Sequence, residues 1–256
     1  MGEARFTNKV VVVTGGATGI GRATVERFVA EGASVLIADV QDAVASDLAQ
    51  SLGQRVAFQH CDVSKASEVE AAVAAAVARF GGVDVFVNNA GIEHGAPLAE
   101  TSAEDFARVL SINVLGIFNG IKAATPAIAA RGGGAIVNTA SIAGLTGSAM
   151  MGPYSASKAA AINLTQTAAL ELRPLNIRVN CVCPGFIQTP MLQRLGGDLE
   201  KQLFGMDVAA LTLAKQQRLG APQEIADAIV YLASAQASFV NGHAMVVDNG
   251  CSLSMI

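Results

Sequence analysis

The sequence predicts an α/β fold, in which one doubly wound, mostly parallel seven-stranded sheet carries helices on both faces. Short apolar runs alternate with helical segments along the whole chain, the pattern of repeated strand–helix–strand units. The first run, Lys-Val-Val-Val-Val at 9–13, is continuously apolar, as a strand at the buried centre of a parallel sheet requires. No linker or internal repeat divides the 256 residues, so we predict a single domain.

The first half of the chain yields four strands and three helices. A glycine-rich turn at 14–21 follows the first strand and opens a helix that extends to residue 31. The segment 65–80 carries an Ala/Val stripe at helical spacing, and Val-Asp-Val-Phe-Val at 83–87 has the length and β-branched content of a buried strand. The same two patterns predict the remaining elements, which are strands at 34–38 and 55–60 and a helix at 41–52.

The second half continues the alternation to a seventh strand. The segment 102–129 is predicted as one long helix that can bend. The segment 191–217 differs, because glycines at 196, 197 and 205 interrupt its apolar residues. We expect it to be a flap over a site, with an ordinary helical insertion that packs on the core as the alternative. The other elements are predicted as strands at 135–139, 177–182 and 243–247 and helices at 154–173 and 222–234.

Composition and charge exclude several classes of function. The chain is 52% hydrophobic, carries a formal net charge of −4 and has no basic block, so we expect no nucleic-acid partner. No signal peptide is visible at 1–9. No apolar run reaches the ~18 residues of a membrane-spanning helix. We therefore expect a cytoplasmic protein without a membrane partner. The cysteines and histidines lack metal-site spacing, so no metal is predicted, and the four cysteines are expected to be buried thiols: Cys61, Cys181, Cys183 and Cys251.

The glycine-rich turn predicts a phosphate-binding site. Its sequence at 14–21, Thr-Gly-Gly-Ala-Thr-Gly-Ile-Gly, lies between the first strand and the first helix. Glycines let the main chain approach a pyrophosphate, and a helix N-terminus supplies free N–H groups and partial positive charge. The alternative is a bare strand–helix turn. The position after the first strand favours phosphate binding.

Asp39 predicts a preference for NAD over NADP. It ends the second strand, about 20 residues after the glycines, where a carboxylate can bond the ribose hydroxyls of NAD. The same charge would repel a 2′-phosphate, by about 4 kcal/mol at ~4 Å and an effective dielectric near 20. No Arg or Lys stands at positions 16, 40 or 41 to offset it. Asp39 could equally be the N-cap of the next helix, and the two roles are compatible.

An ordered set of motifs makes the chain resemble the short-chain dehydrogenase/reductases over essentially its whole length. The resemblance implies a Rossmann fold, a nicotinamide cofactor, and hydride transfer between that cofactor and an alcohol or ketone carbon. The motifs are, in chain order, Thr-Gly-Gly-Ala-Thr-Gly-Ile-Gly at 14–21, Asp62-Val63, Asn-Asn-Ala-Gly at 88–91, Asn113, Ser141, Tyr-Ser-Ala-Ser-Lys at 154–158 and Pro-Gly-Phe-Ile-Gln-Thr-Pro at 184–190.

The resemblance implies a catalytic set of Asn113, Ser141, Tyr154 and Lys158. Tyr154 and Lys158 are four residues apart at a helix start, so they share one face. Tyr154 is the expected acid/base, and a nearby ammonium would lower its pKa by favouring the phenolate. Ser141, after the fifth strand, would hold the substrate oxygen. Asn113 would hold a water that links Lys158 to solvent; the alternative is a polar residue that satisfies a helix kink.

The other motif residues are implied to bind the cofactor, and the segment at 184–190 to cap the nicotinamide and direct pro-S hydride transfer. Asp62 and Val63 follow the third strand, where Asp62 could contact the adenine edge or cap the next helix. The complete predicted cofactor-binding set is Gly15, Thr18, Gly19, Ile20, Gly21, Asp39, Val40, Asp62, Val63, Asn89, Ala90, Gly91, Tyr154, Lys158, Pro184, Gly185, Ile187 and Thr189.

The substrate is expected to be a medium-sized, mostly apolar or alicyclic secondary alcohol or ketone. A 3-oxoacyl thioester is the alternative substrate, and a non-catalytic NAD-binding regulator is the alternative of another class. The intact Tyr–Lys pair argues against the regulator. Family members are usually tetramers, so a homotetramer is expected. The predicted substrate-facing residues are Glu93, His94, Ile142, Met151 and Phe186.

Overall fold

A computed structural model of the chain describes residues 4–194 and 208–253 and centres on one seven-stranded sheet. The strand order is β3-β2-β1-β4-β5-β6-β7, and every neighbouring pair is parallel. The predicted fold class is confirmed. The strands are β1 (Val10–Thr14), β2 (Ser34–Asp39), β3 (Val56–His60), β4 (Val85–Asn88), β5 (Gly134–Thr139), β6 (Ile177–Pro184) and β7 (Ala244–Val247).

Helices connect the strands and cover both faces of the sheet. Their bounds lie within a few residues of the predicted ones, except that the segment 102–129 is divided. They are α1 (Gly19–Ala30), α2 (Asp42–Leu52), α3 (Ala66–Phe80), α4 (Ala103–Leu110), α5 (Gly116–Ala130), α6 (Gly152–Leu172), α7 (Val208–Gln216) and α8 (Pro222–Ala233). Residues 190–194 are also helical. The predicted flap at 191–217 is described only at its two ends, because 195–207 lie outside the described residues.

Two apolar layers bury the sheet, which explains the continuous apolar runs. Successive side chains of a strand point to opposite faces. Val11 and Val13 therefore pack with Phe28 of α1 and the α8 side chains, whereas Val10 and Val12 pack on the opposite face with α3 and α5. Because both faces are covered, alternation between polar and apolar residues is absent from the central strands.

A π-helical turn at Ser111–Leu115 joins α4 to α5, where the sequence predicts one long helix. Such turns contain an extra residue and often mark functional sites. Asn113 lies within the turn and is fully buried. The bend that the prediction allowed is thus a local change in helix type.

The helical run Ala103–Ala130 is the one helix, among the described residues, that is long and apolar enough to cross a membrane. An 18-residue window in it has a mean hydropathy of 1.2, where the sequence had predicted no such run. In the fold, Ile117, Ala124 and Ile128 of its second half are buried against the sheet. Length and composition alone are weak support for a span, because a core helix of this kind passes the same test.

The carboxyl ends of the strands bring the predicted site together. Strand order reverses between β1 and β4, which are neighbours in the sheet although two strands separate them in sequence. Ligands of open α/β sheets bind outside the carboxyl ends of the strands at such a switch point. The glycine-rich turn follows β1 and the Asn-Asn-Ala-Gly segment follows β4. Ser141 follows β5 and the Pro-Gly segment ends β6.

Candidate active site

The glycine-rich turn leads into α1 with main-chain donors available. Gly15 and Gly19 have φ values of 62° and 54°, which favour glycine over other residues. Thr18 is the N-cap of α1, its side chain makes no capping hydrogen bond, and the first turn of α1 contains no acidic residue. The first N–H groups of a helix have no partner within it, so this end can bind an anion.

Asn89 and Thr14 fasten the glycine-rich turn to the segment after β4. The Asn89 side chain donates to the main-chain oxygens of Thr14 and Gly15, both at 3.1 Å. The Thr14 hydroxyl accepts from the N–H groups of Asn89 (3.0 Å) and Ala90 (3.1 Å). A Cβ at Gly15 would lie 2.8 Å from the Cα of Ala90. The predicted cofactor residues of these two segments therefore lie side by side.

Asp39 ends β2, is buried, and bonds the main chain on both sides. Its Oδ2 accepts from the N–H of Ala17 and its Oδ1 from the N–H of Gln41, each at 2.9 Å. The N-cap of α2 is Gln41, so Asp39 itself is not the cap. Next to it, Val40 is 56% exposed and presents an apolar surface beside the turn.

Asp62 and Val63 follow β3 with different exposure. The Asp62 carboxylate accepts from the N–H (3.1 Å) and the hydroxyl (2.7 Å) of Ser64, which forms a turn before α3. The N-cap of α3 is Lys65, so Asp62 does not cap that helix. Val63 is buried, and its carbonyl accepts from Asn119 at 2.9 Å. Its side chain belongs to the core, and the cofactor role of both residues stays a prediction.

The Ser141 side chain lies close enough to the Tyr154 hydroxyl to interact with it. Tyr154 is half-buried as a residue, but its hydroxyl is densely surrounded. Burial raises the pKa of Tyr154; the interaction with Ser141 lowers the pKa, and the Glu93 carboxylate raises it. The net direction is upward, opposite to the expected lowering. The protein groups alone therefore keep Tyr154 in its protonated form near neutral pH.

Lys158 lies against the face of the Tyr154 ring and is 4% exposed. Its Nζ donates to the main-chain oxygen of Thr139 at 2.8 Å and lies 5.5 Å from the centre of the Tyr154 ring. Burial lowers the pKa of Lys158 to about 8. The expected proximity of Lys158 and Tyr154 is present, and the ammonium is bonded to a main-chain oxygen.

The Asn113 side chain is bonded entirely to protein groups. Its Oδ1 accepts from the N–H of Ile92 at 2.8 Å, and its Nδ2 donates to the oxygen of Ile92 (2.9 Å) and to the Ser157 hydroxyl (3.0 Å). These bonds fix the segment that follows the Asn-Asn-Ala-Gly motif. A relay water would therefore have to be held by the main chain of the π-helical turn, and this role of Asn113 stays a prediction.

The segment after β6 meets the glycine-rich turn through Thr189. A Cβ at Gly19 would lie 3.3 Å from the Cγ2 of Thr189. The Thr189 hydroxyl donates to the oxygen of Ile187 and accepts from the N–H of Leu192, both at 3.3 Å. Ile187 is buried, and the N–H of Gly185 donates to Val247 of β7 at 3.1 Å. The predicted nicotinamide-capping residues are thus held beside the predicted phosphate-binding turn.

The predicted substrate-facing residues lie in three segments around Tyr154. The segment of Glu93 and His94 ends at Ala96, whose N–H donates to the oxygen of Met150 at 2.8 Å. The Oε1 of Glu93 pairs with the Nε of Arg194 at 3.1 Å. The Oε2 of Glu93 and the Nε2 of His94 are buried without a protein partner. Ile142 and Phe186 are half-buried, whereas Met151 is buried at the start of α6.

Four residues near the site are absent from the predicted site residues, although Thr14 lies in the glycine-rich turn and two others lie in the predicted flap. Thr14 and Thr139 act through a hydroxyl and a main-chain oxygen, and Arg194 reaches Glu93 from the other side of the site. Gln216 bonds the main chain of Phe186. Only Thr14 carried a signal, since it directly precedes the glycines.

Comparisons with known proteins agree with this geometry. A family model described as enoyl-(acyl carrier protein) reductase matches residues 15–252. The chain is 42% identical over 248 residues to a 2,5-dichloro-2,5-cyclohexadiene-1,4-diol dehydrogenase of Sphingobium indicum, covering 96% of this chain and 97% of that one. The crystal structure of levodione reductase matches with a TM-score of 0.92 at 35% identity, covering 98% of this chain and 100% of that one. A 3-ketoacyl-(acyl-carrier-protein) reductase from Brucella melitensis, complexed with NADH, matches with a TM-score of 0.88 at 32% identity, covering 96% and 99%.

The chain belongs to the short-chain dehydrogenase/reductase family. The family predicted from the ordered motifs is confirmed, together with the Rossmann fold. The protein is accordingly an oxidoreductase that uses a nicotinamide cofactor.

Proposed function

We propose that this protein is an NAD-dependent dehydrogenase that interconverts a secondary alcohol and a ketone. The observation that carries the proposal is the position of Tyr154 at the carboxyl end of the sheet: its hydroxyl lies beside Ser141, and its ring centre lies 5.5 Å from the Nζ of Lys158. A phenol, a hydroxyl and a buried ammonium in this arrangement can exchange a proton with a substrate oxygen and stabilise the charge that develops on it.

The residues around β1 and β2 fit the phosphate and ribose groups of the cofactor. The uncapped N-terminus of α1 offers main-chain donors at Gly19, Ile20 and Gly21. Asp39, at the end of β2, supports NAD over NADP, because its carboxylate would face a 2′-phosphate. Val40 would present its exposed side chain to the adenine. Residues Asp62, Asn89, Ala90 and Gly91 complete the proposed groove, with Pro184, Gly185, Ile187 and Thr189 opposite.

Within the site, Tyr154 gives a proton to the ketone oxygen in reduction and accepts the hydroxyl proton in oxidation. Nicotinamide, when bound, supplies or accepts the hydride. The Ser141 hydroxyl donates to the Tyr154 oxygen before substrate binds, which favours the phenolate, and to the substrate oxygen in the complex. Lys158 adds positive charge beneath the ring. Because burial opposes the phenolate, positive charge near Tyr154 is required for oxidation.

The surroundings of Tyr154 support a medium-sized, mostly apolar or alicyclic substrate. Ile142 and Phe186 supply apolar surface. Glu93 and His94 supply the polar groups, each with one buried atom that lacks a protein partner. The segment 191–217 would serve as a flap of this single-domain enzyme. Its described ends contact both sides of the site, through Arg194 and Gln216.

A 3-oxoacyl thioester reductase is the second candidate. It is favoured by the family model, described as an enoyl-(acyl carrier protein) reductase, and by the likeness to a 3-ketoacyl-(acyl-carrier-protein) reductase. The same Tyr154, Ser141 and Lys158 would serve that reaction, so the substrates differ and the chemistry does not. A non-catalytic NAD-binding regulator has less support, because the bonded set of catalytic side chains is complete.

We further propose a homotetramer in the cytoplasm. Apolar side chains are exposed on α4, α5 and α6, where apolar contacts between subunits could form: Phe106, Phe118 and Leu170, together with Phe239 after α8. The four cysteines are buried and free, which fits a reducing compartment. Light scattering at several protein concentrations would test the tetramer, and a monomer would contradict it.

The test of the proposed function is a fluorescence titration with NADH and NADPH, followed by turnover of a panel with NAD. The panel contains cyclic and linear secondary alcohols, diols and 3-hydroxyacyl thioesters. We expect tighter binding of NADH and turnover of at least one cyclic alcohol. Turnover of thioesters alone would favour the second candidate. Binding of NADH without any turnover would favour the regulator.

A further inference from the structure

Gln216, at the end of α7, has a buried side-chain amide that hydrogen-bonds main-chain groups. It is 2% exposed. Its Oε1 accepts from the N–H of Phe186 at 2.8 Å, and its Nε2 donates to the oxygens of Phe186 (2.8 Å) and Arg218 (3.0 Å). Both donors of the amide and one acceptor site of its oxygen are therefore used, and two of the three bonds are to the main-chain N–H and oxygen of one residue, Phe186.

The main chain of Phe186, which Gln216 bonds, is also fixed by Gly220. The N–H of Gly220 donates to the oxygen of Phe186, and the N–H of Gln188 donates to the oxygen of Gly220, both at 2.9 Å. Ile187 and Gly220 form an isolated parallel bridge. Gln216 and Gly220 thus clamp residues 186–188 from one side, directly after the Pro-Gly end of β6.

A third segment meets the main chain of Gln216. The Asn249 side chain donates to the main-chain oxygen of Gln216 at 2.8 Å. A Cβ at Gly185 would collide with the Oε1 of Gln216 and lie 2.8 Å from the Cβ of Asp248. The end of β6, the end of α7 and the turn after β7 therefore converge on Gln216, and Gly185 provides the room.

We propose that Gln216 is a positioning residue for the nicotinamide: its side chain fixes the main chain of Phe186 and so the placement of Ile187. This inference rests on the proposed function, in which Ile187 and Thr189 cap the nicotinamide. Gln216 itself is buried and acts through Phe186. It also ties the end of α7 to the cofactor site through its two hydrogen bonds to Phe186.

The first test compares Gln216→Met with the matched control Gln217→Met. Gln217 is the neighbouring residue of the same type, but it is exposed. Methionine retains the length of glutamine and removes all three side-chain hydrogen bonds. We expect Gln216→Met to raise the Kd for NADH by about fivefold, the effect of losing roughly 1 kcal/mol of hydrogen bonding. Gln217→Met should bind NADH like the wild type.

The second test uses Gln216→Glu and its dependence on pH. An ionised carboxylate can accept from the N–H of Phe186 but faces the oxygens of Phe186 and Arg218, which it repels. A protonated carboxyl regains one donor. Burial raises the pKa of a carboxyl, so this proton is taken up as the pH falls toward 6. We expect the ratio of the Kd of Gln216→Glu to that of the wild type to approach one as pH falls from 8.5 to 6.

The outcomes separate a positioning role from a structural one. Kd is measured well below the melting temperature of each variant. A lower melting temperature with an unchanged NADH Kd in Gln216→Met would overturn the proposal, as would a pH-independent ratio for Gln216→Glu. If the wild type itself binds neither NADH nor NADPH, the proposed function fails first. If the wild type binds NADH and the Gln216 variants bind it with the same Kd, only the positioning role fails.

Discussion

The Nζ of Lys158 lies 5.5 Å from the centre of the Tyr154 ring. The ammonium is bonded to the uncharged main-chain oxygen of Thr139, and no carboxylate among the described residues forms an ion pair with it. The same surroundings raise the pKa of Tyr154 and lower that of Lys158 to about 8. Both groups are therefore held closer to their neutral forms, and the difference in proton affinity between them widens, with the Tyr154 oxygen now holding its proton more tightly than the Lys158 Nζ.

Tyr154→Phe should abolish turnover and leave NADH binding nearly unchanged. The substitution removes the hydroxyl that exchanges the proton and keeps the ring above Lys158. The measurement is steady-state turnover together with an NADH titration on the same sample. Ser141→Ala serves as the comparison and should lose activity in the same direction. Substantial residual activity in Tyr154→Phe would sink the assignment.

Lys158→Met should lose activity and gain thermal stability at pH 7. The lowered pKa means that burying the ammonium costs stability, fully below pH 8 and progressively less as pH rises toward the usual value of 10.5. A shift of this size corresponds to about 3 kcal/mol at 1.36 kcal/mol per unit. The variant also loses the hydrogen bond to Thr139, which reduces the gain in stability by about 1 kcal/mol. The gain should shrink between pH 8 and 10.

The matched control for this gain is Lys122→Met, which removes an exposed lysine of α5. Its melting temperature should stay within a degree or so of the wild type, because surface substitutions are usually within about 0.5 kcal/mol. A Lys158→Met protein less stable than the wild type at pH 7 would contradict the argument.

Glu93→Gln should move the pH profile for alcohol oxidation to lower pH. The Glu93 carboxylate raises the pKa of Tyr154, so removing its charge lowers that pKa and makes the phenolate available sooner. The measurement is kcat/KM for oxidation between pH 6 and 10. Glu100→Gln, at an exposed glutamate of the same loop region, should leave the profile in place. A profile that moves to higher pH in Glu93→Gln would reverse the assigned sign.

Asp39→Asn should narrow the preference for NAD over NADP. Asparagine retains an oxygen that accepts one of the two main-chain bonds now made to Ala17 and Gln41, and it removes the charge. Asp39→Ala, which loses both bonds, should also lower the melting temperature. The ratio of kcat/KM for the two cofactors is the measurement. An unchanged ratio in Asp39→Asn would leave Asp39 with a structural role only.

Much of the fold could be predicted because the sequences of buried parallel strands are rich in consecutive apolar residues. Every strand was placed within about two residues on that basis. The π-helical turn at Ser111–Leu115 escaped prediction, because the apolar spacing continues across it and one extra residue leaves no local signature. The N-cap positions of α2 and α3 also differed. Asp39 and Asp62 bond nearby N–H groups in turns, where the helices start a few residues later.

The residue types of the site could be predicted better than the hydrogen bonds that these residues make. The order of motifs identified Ser141, Tyr154 and Lys158, and the fold brings them together. The partner of Lys158 could not be predicted, because the oxygen of Thr139 is a main-chain atom that every residue possesses. Gln216 was equally invisible, since a polar residue at a helix end is usually exposed.

The glycines at 15 and 21 have a consequence for how such motifs evolve. A Cβ at Gly21 would collide with the main-chain oxygen of Gly15 and lie 2.6 Å from the Asn89 side chain, and one at Gly15 would press on Ala90. Both glycines are therefore demanded by the contact between two turns of the protein itself. A descendant of this chain that ceased to bind nucleotide would still be under pressure to retain them.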